Sequence, residues 1–309
     1  MLDYHVSRST DINKSVSEVV TYLADFHHWP VWSPWLIMEP DCDLTYQGDN
    51  GQQGSSYEWS GDLVGAGKMQ MTSVQSNQLE MALSFYKPFK STATVKFEVA
   101  EKGEGCRVTW HMYSKVPWFL FFLKGMFKSM ISMDYDRGLR MLKSQLETSS
   151  VPSLLTDLGE QTWPTTHYIA LAGSGTLEEI GPLMANQIEE LHAYMSDNKI
   201  VGSAPLFTYY RKMDMSSQHF DYWICCPVEK PTQVGAPFIS GTLPQARTYA
   251  IEHQGEYQFL GNAWSMAMAA TRHKKIKVKR KPVGIEIYLD EPGETEGYHL
   301  RTQVMVFKK

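Results

Sequence analysis

Near the end of the chain the stretch PVGIEIYLDEP, residues 282–292, sets Glu286 between Ile285 and Ile287. Read as a strand, it sends Ile285, Ile287 and Leu289 to one face and Glu286 with Tyr288 to the other. On a solvated face the carboxylate needs nothing. Walling a cavity, it gives up its hydration and must be hydrogen-bonded, protonated or met by a cationic ligand. If burial lifts its pKa toward neutrality, it can also serve as a general base. Tyr288, Tyr257, Trp264 and Tyr209 are the aromatic side chains that could complete such a site, offering π faces to a cation or a flat ring. A desolvated cation–π contact is worth up to about 2 kcal/mol. Each has a plainer reading too: Tyr257 can staple the turn that Gly255 permits, Trp264 can be helix core, and only one of Tyr209 and Tyr210 shares the glutamate's face.

Other chemistry is sparse. Cys42, Cys106, Cys225 and Cys226 form no CxxC pair, and the adjacent Cys225 and Cys226 point to opposite faces of a strand, so they read as reduced thiols without a metal. His27, His28 and His111 have no metal-ligand spacing, and the linear sequence assembles no Ser/His/Asp set. No cofactor and no metal are expected. Trp32, Trp35, Trp59 and Trp110 could ring a cavity or fill a core. The basic run RHKKIKVKRKP (residues 272–282) lacks interleaved aromatics and a reading helix, so it reads as a solvated strand or linker without direct nucleic-acid contact.

The elements that position these residues follow from periodicity. The chain has 309 residues, 43% hydrophobic and 20% charged, with a net charge of −5; that length suits two domains, and the charge gives no basic field for nucleic acid. In the first half Val16, Val19, Val20, Leu23 and Phe26 make one helical stripe, started by Ser15 and Glu18 at capping-box spacing. HHWPVWSPW reads as a loop. Strand-like runs follow, the clearest alternating Ala93, Val95, Phe97 and Val99 with Thr92, Thr94, Lys96 and Glu98. A long helix closes this half, with Phe127, Met130, Ile131, Tyr135, Leu142 and Leu146 on one stripe. Residues 149–163 read as a linker between domains at 1–148 and 164–309. In the second half the order strand–helix–strand–strand occurs twice, and two such units can leave a groove between them.

The fold class expected is α+β. The runs WPVWSPW, GSSYEWSG, GAGKMQMTSV, FYKPFKSTATVKFEV, CRVTWHM and DRGLRMLKSQLE resemble the polyketide-cyclase-like branch of the START/SRPBCC superfamily. That resemblance implies a helix-grip domain, a curved antiparallel sheet wrapped on a long C-terminal helix, holding an apolar small molecule between them. ARTYAIEHQGEYQFLGNAW, GIEIYLDEP and the final LRTQV resemble the GyrI-like effector-binding domain of AraC- and MerR-type regulators. By that resemblance Glu286 lies at the floor of a ligand groove with Tyr288 beside it. Gln303 stands where that family often has an acidic residue, and Phe307 where it often has proline.

The function expected is non-enzymatic binding of hydrophobic, aromatic or cationic small molecules, in the GyrI-like groove and also in the helix-grip cavity, by a stand-alone sensing or sequestering protein. No helix-turn-helix precedes either domain. One alternative is a hydrolase that opens reactive electrophiles with Glu286 as general base. A second is a modulator of a protein partner such as gyrase, which an exposed patch at PWFLFF, within the apolar run VPWFLFFL of residues 116–123, would favour. That run is far short of the roughly 20 residues that span a bilayer, and the N-terminus MLDYHVSRST is no secretory signal, so a cytoplasmic location is expected. Oligomeric state is left open.

Overall fold

Ser15 accepts from the backbone N–H of Glu18 while the Glu18 carboxylate accepts from the N–H of Ser15. This reciprocal cap starts α1 (Val16–Ala24), which buries Val19, Val20, Leu23 and Ala24. The computed structural model describes residues 2–116, 122, 124–214 and 217–309; most of the apolar run at 116–123 lies outside them. The chain divides into two compact units, Met1–Val151 and Pro152–Lys309.

The first unit holds strands β1 (Leu2–Ile12), β2 (Asp43–Gln47), β3 (Ser56–Ser60), β4 (Ala66–Gln75), β5 (Gln78–Lys87), β6 (Ser91–Lys102) and β7 (Gly105–Val116). They form one seven-stranded sheet in the order β1-β7-β6-β5-β4-β3-β2, antiparallel throughout. The alternation in β6 plays out as expected, with Val95, Phe97 and Val99 buried. Residues 29–32 are not a loop: Pro30, tolerated in a first turn because its missing N–H would have no helical partner, sits in the short helix α2 (Trp29–Trp32). The long helix α3 (Lys124–Thr148) lies against β1. Its stripe holds at Tyr135 and Leu142, both buried, whereas Met130 is exposed. Trp110 stacks on Tyr135 and on Phe97, with ring centroids 3.9 Å and 5.0 Å away, and Trp29 and Trp32 close edge-on around it. These rings fill the space between sheet and helix at this level. Trp32 and Trp110 are therefore core residues.

The second unit contains β8 (Ser153–Trp163), β9 (Thr166–Thr176), α4 (Ile180–Asp197), β10 (Phe207–Asp214), β11 (His219–Val228), β12 (Ile239–Leu243), β13 (Ala246–Gly255), α5 (Gly261–His273), β14 (Gly284–Tyr288) and β15 (Arg301–Phe307). The eight strands run β12-β9-β11-β10-β14-β15-β13-β8. The doubled strand–helix–strand–strand order is present as β9-α4-β10-β11 and β13-α5-β14-β15. The two copies meet at β10 and β14.

The segment read as a linker, 149–163, is largely β8, which pairs with β13 from Ala246↔Trp163 to Gly255↔Ser153. An edge strand bonded on one side and wetted on its outer face needs little apolar signal, which is why its composition resembles a loop. Helices α4 and α5 cover one face of this sheet. Cys226 is buried with that face and Cys225 with the other, as adjacent strand residues must be, and all four cysteines are free. Among the described residues no helix is long and apolar enough to cross a membrane.

Candidate functional site

Strand β14 places Glu286 on the helix-covered face, and the side chain is 5% exposed. Directly opposite it on β10 stands Thr208. Tyr210 and Tyr288 each lie two residues on from this pair, so they take equivalent positions in the two repeats and lean on the carboxylate from either side. Both hydroxyls donate to Oε2 of Glu286, at 3.0 Å from Tyr210 and 2.9 Å from Tyr288. The indole N–H of Trp264, brought down by α5, donates to Oε1 at 2.5 Å. Because the Tyr288 proton goes to Glu286, the Thr208 hydroxyl donates to the Tyr288 oxygen, 2.8 Å away.

Burial is the dominant electrostatic influence. It pushes the Glu286 pKa above the usual carboxylate value, and the three donors pull back against it. The phenols of Tyr210 and Tyr288 are driven well above their ordinary range, by burial first and by the neighbouring carboxylate second. They stay protonated and remain donors. A carboxylate offers about four lone-pair positions; three are taken, and one is left for an incoming group.

Tyr257 sits in a short 3-10 turn before α5, 36% exposed, with its ring edge-on to Tyr288 at 5.7 Å. Gly255, at φ +143°, makes that turn possible: a Cβ there would lie 1.9 Å from the carbonyl oxygen of Pro152. Tyr288 and Trp264, which bond Glu286 directly, are half-buried, and Tyr257 packs on Tyr288 farther out. Of the residues named from sequence, these four come together.

Tyr209 does not join them. It lies on the opposite face of β10, against Trp223 at 5.9 Å and Phe307 at 6.4 Å. Strand alternation allowed only one of Tyr209 and Tyr210 at the glutamate, and the β10–β14 register selects Tyr210. Tyr210 and Thr208 are the members that sequence reasoning missed; the signal was the TYY run itself, whose register cannot be read before the strands are paired. Trp264 closes over Glu286 and Tyr210, so it is a lid on the carboxylate as well as part of the core.

The chain matches two families. Residues 3–147 match the family described as polyketide cyclase / dehydrase and lipid transport, and residues 160–307 match the GyrI-like small molecule binding domain. Among curated proteins none matches. The chain is similar to the Aha1 dimer from Colwellia psychrerythraea, at 12% identity and TM-score 0.36, over 48% of this chain and 99% of that one. It is also similar to StfQ, a di-domain ARO/CYC from the steffimycin biosynthetic pathway, at 12% identity and TM-score 0.39, over 48% of this chain and 52% of that one. It is similar too to the EcmrR C-terminal domain, at 14% identity and TM-score 0.41, over 51% of this chain and 98% of that one. The GyrI-like half carries Glu286 and its three donors.

Proposed function

We propose that this protein binds hydrophobic aromatic small molecules, cationic ones above all, at Glu286 of its GyrI-like half, and acts as a sensing or sequestering protein. The carrying observation is a buried carboxylate, 5% exposed, ringed by one indole and two phenols. A buried acid held only by neutral donors is an expensive arrangement. A desolvated cation entering past Tyr257 and Tyr288 meets the open lone pair of Glu286 and the π faces of those rings, offsetting the cost of burying the charge. A neutral ligand of the same shape gains only the ring contacts. The helix-grip half, whose family includes lipid-transport proteins, is a second candidate compartment.

The raised pKa of Glu286 favours one alternative, a general base acting on a water beside a bound electrophile. The two readings part on one variant. With 10-methylacridinium and neutral acridine as a shape-matched pair at pH 8, fluorescence titration of Glu286→Gln is expected to show about tenfold or greater loss for the cation and little change for acridine. Equal losses for both would sink the electrostatic reading. Loss of turnover on an electrophile at unchanged affinity would instead establish the hydrolase.

A further inference from the structure

We infer that the GyrI-like half carries a second ligand site of opposite charge preference, for a planar aromatic anion, in the groove formed by Arg211, Lys212, Lys281, Tyr209 and Trp223. This inference stands independently of the reading at Glu286. The groove has a volume of about 640 Å³ and lies where β14 leaves the edge of β10, between the ends of β10 and β11 and the segment Lys281–Pro282.

Its geometry originates in a β-bulge. The β10–β11 register slips between Tyr210 and Lys212, leaving Arg211 as the extra residue; bulges bend a strand and re-aim a side chain. Here the guanidinium of Arg211 is laid over the Trp223 ring at 4.3 Å. Stacking uses the guanidinium's flat face and leaves its N–H fork free for an anion. Tyr209 continues the aromatic wall beside Trp223. Gly173 also borders the groove, and its lack of a side chain makes room for the Tyr222 ring, which a Cβ there would meet at 2.4 Å.

Charge in the groove is unbalanced. Among the described residues, Arg211, Lys212 and Lys281 have no ion pair with a carboxylate, while the one acid of the lining, Asp221, accepts from Ser174 Oγ at 2.8 Å and lies 3.8 Å from His219. The basic run of residues 272–282 ends at the groove, and its Lys279 lies over the Phe307 ring at 5.8 Å on the same face as Tyr209. That run finds a use here which the Glu286 site does not give it. Three unpaired cations around two aromatic rings select a flat ring system bearing a carboxylate, sulfonate or phosphate.

The test uses the full chain, with 2-naphthalenesulfonate and neutral 2-naphthalenemethanol as probes and quenching of tryptophan fluorescence as the readout. The sulfonate is expected to bind saturably, at least about tenfold more tightly than the alcohol, and to weaken as salt is raised. The double variant Arg211→Gln with Lys281→Gln, both exposed positions, is expected to lose that preference without a change in melting temperature. Glu286→Gln is expected to bind the sulfonate as the parent does, which separates this site from the acidic one. Absence of saturable binding at millimolar probe, equal affinity for the two probes, or an unchanged preference in the double variant would overturn the inference.

Discussion

At the scale of single residues, the second unit holds two buried titratable groups that answer pH in opposite senses. Glu286 has a raised pKa, so its share of stability is complete below its ordinary value and is lost as pH rises through the folded one. His253 is fully enclosed, and burial lowers its pKa from 6.5 to about 4. Its Nε2 is hydrogen-bonded to the Ser153 hydroxyl at 3.0 Å, and that oxygen accepts from Asn262 Nδ2 at 2.8 Å. The neutral ring belongs to the folded state and the charged ring to the unfolded one. Stability from His253 is therefore whole above pH 6.5 and falls away toward pH 4, by roughly 3 kcal/mol in total. Urea unfolding of His253→Gln across this window should give a flatter pH dependence than the parent. His111 in the first unit, also lowered by burial, contributes in the same sense and persists in the variant. A parent curve no steeper than that of the variant would reject the assignment.

At the scale of elements, capping and register decide what the side chains can reach. The reciprocal cap of α1 was legible because it is local: Ser15 and Glu18 need only be three residues apart. Ser15→Ala should lower the stability of the first unit by about 1 kcal/mol in urea unfolding and leave probe binding by the second unchanged. The strand carrying Glu286 was legible for the same reason, since period-two alternation is written in five letters. Its partners were not. Tyr210 was placed by the pairing of β10 with β14, and Trp264 by the way α5 descends on the sheet; neither has a sequence-local cause. The same dependence explains Tyr209, a plausible neighbour by composition that the register turned to the other face. There it helps wall the basic groove.

At the scale of the whole molecule, the chain is two compact units, each with its own sheet. The second begins earlier than its composition suggests. Strand β8 covers one edge of β13 along ten register pairs, and its Ser153 reaches His253. A fragment spanning residues 152–309 is expected to unfold cooperatively and bind 10-methylacridinium like the parent, whereas 164–309, with β13 left as a bare edge and His253 without its hydroxyl, should be destabilised by several kcal/mol or aggregate. Equal melting temperatures for the two fragments would show that β8 is dispensable.

By itself the sequence determined what depends on near neighbours along the chain: strand and helix periods, the α1 cap, the repeated order of elements, the opposite facing of Cys225 and Cys226, and a glutamate set among apolar strand residues. Only the tertiary structure decided what depends on strands meeting across many residues. That includes the enclosure of Glu286, its three donors, the exclusion of Tyr209, the strand hidden in an apparent linker, and the bulge that lays Arg211 over Trp223. The physical reason is that alternation fixes which residues share a face, but pairing register alone fixes which residues touch.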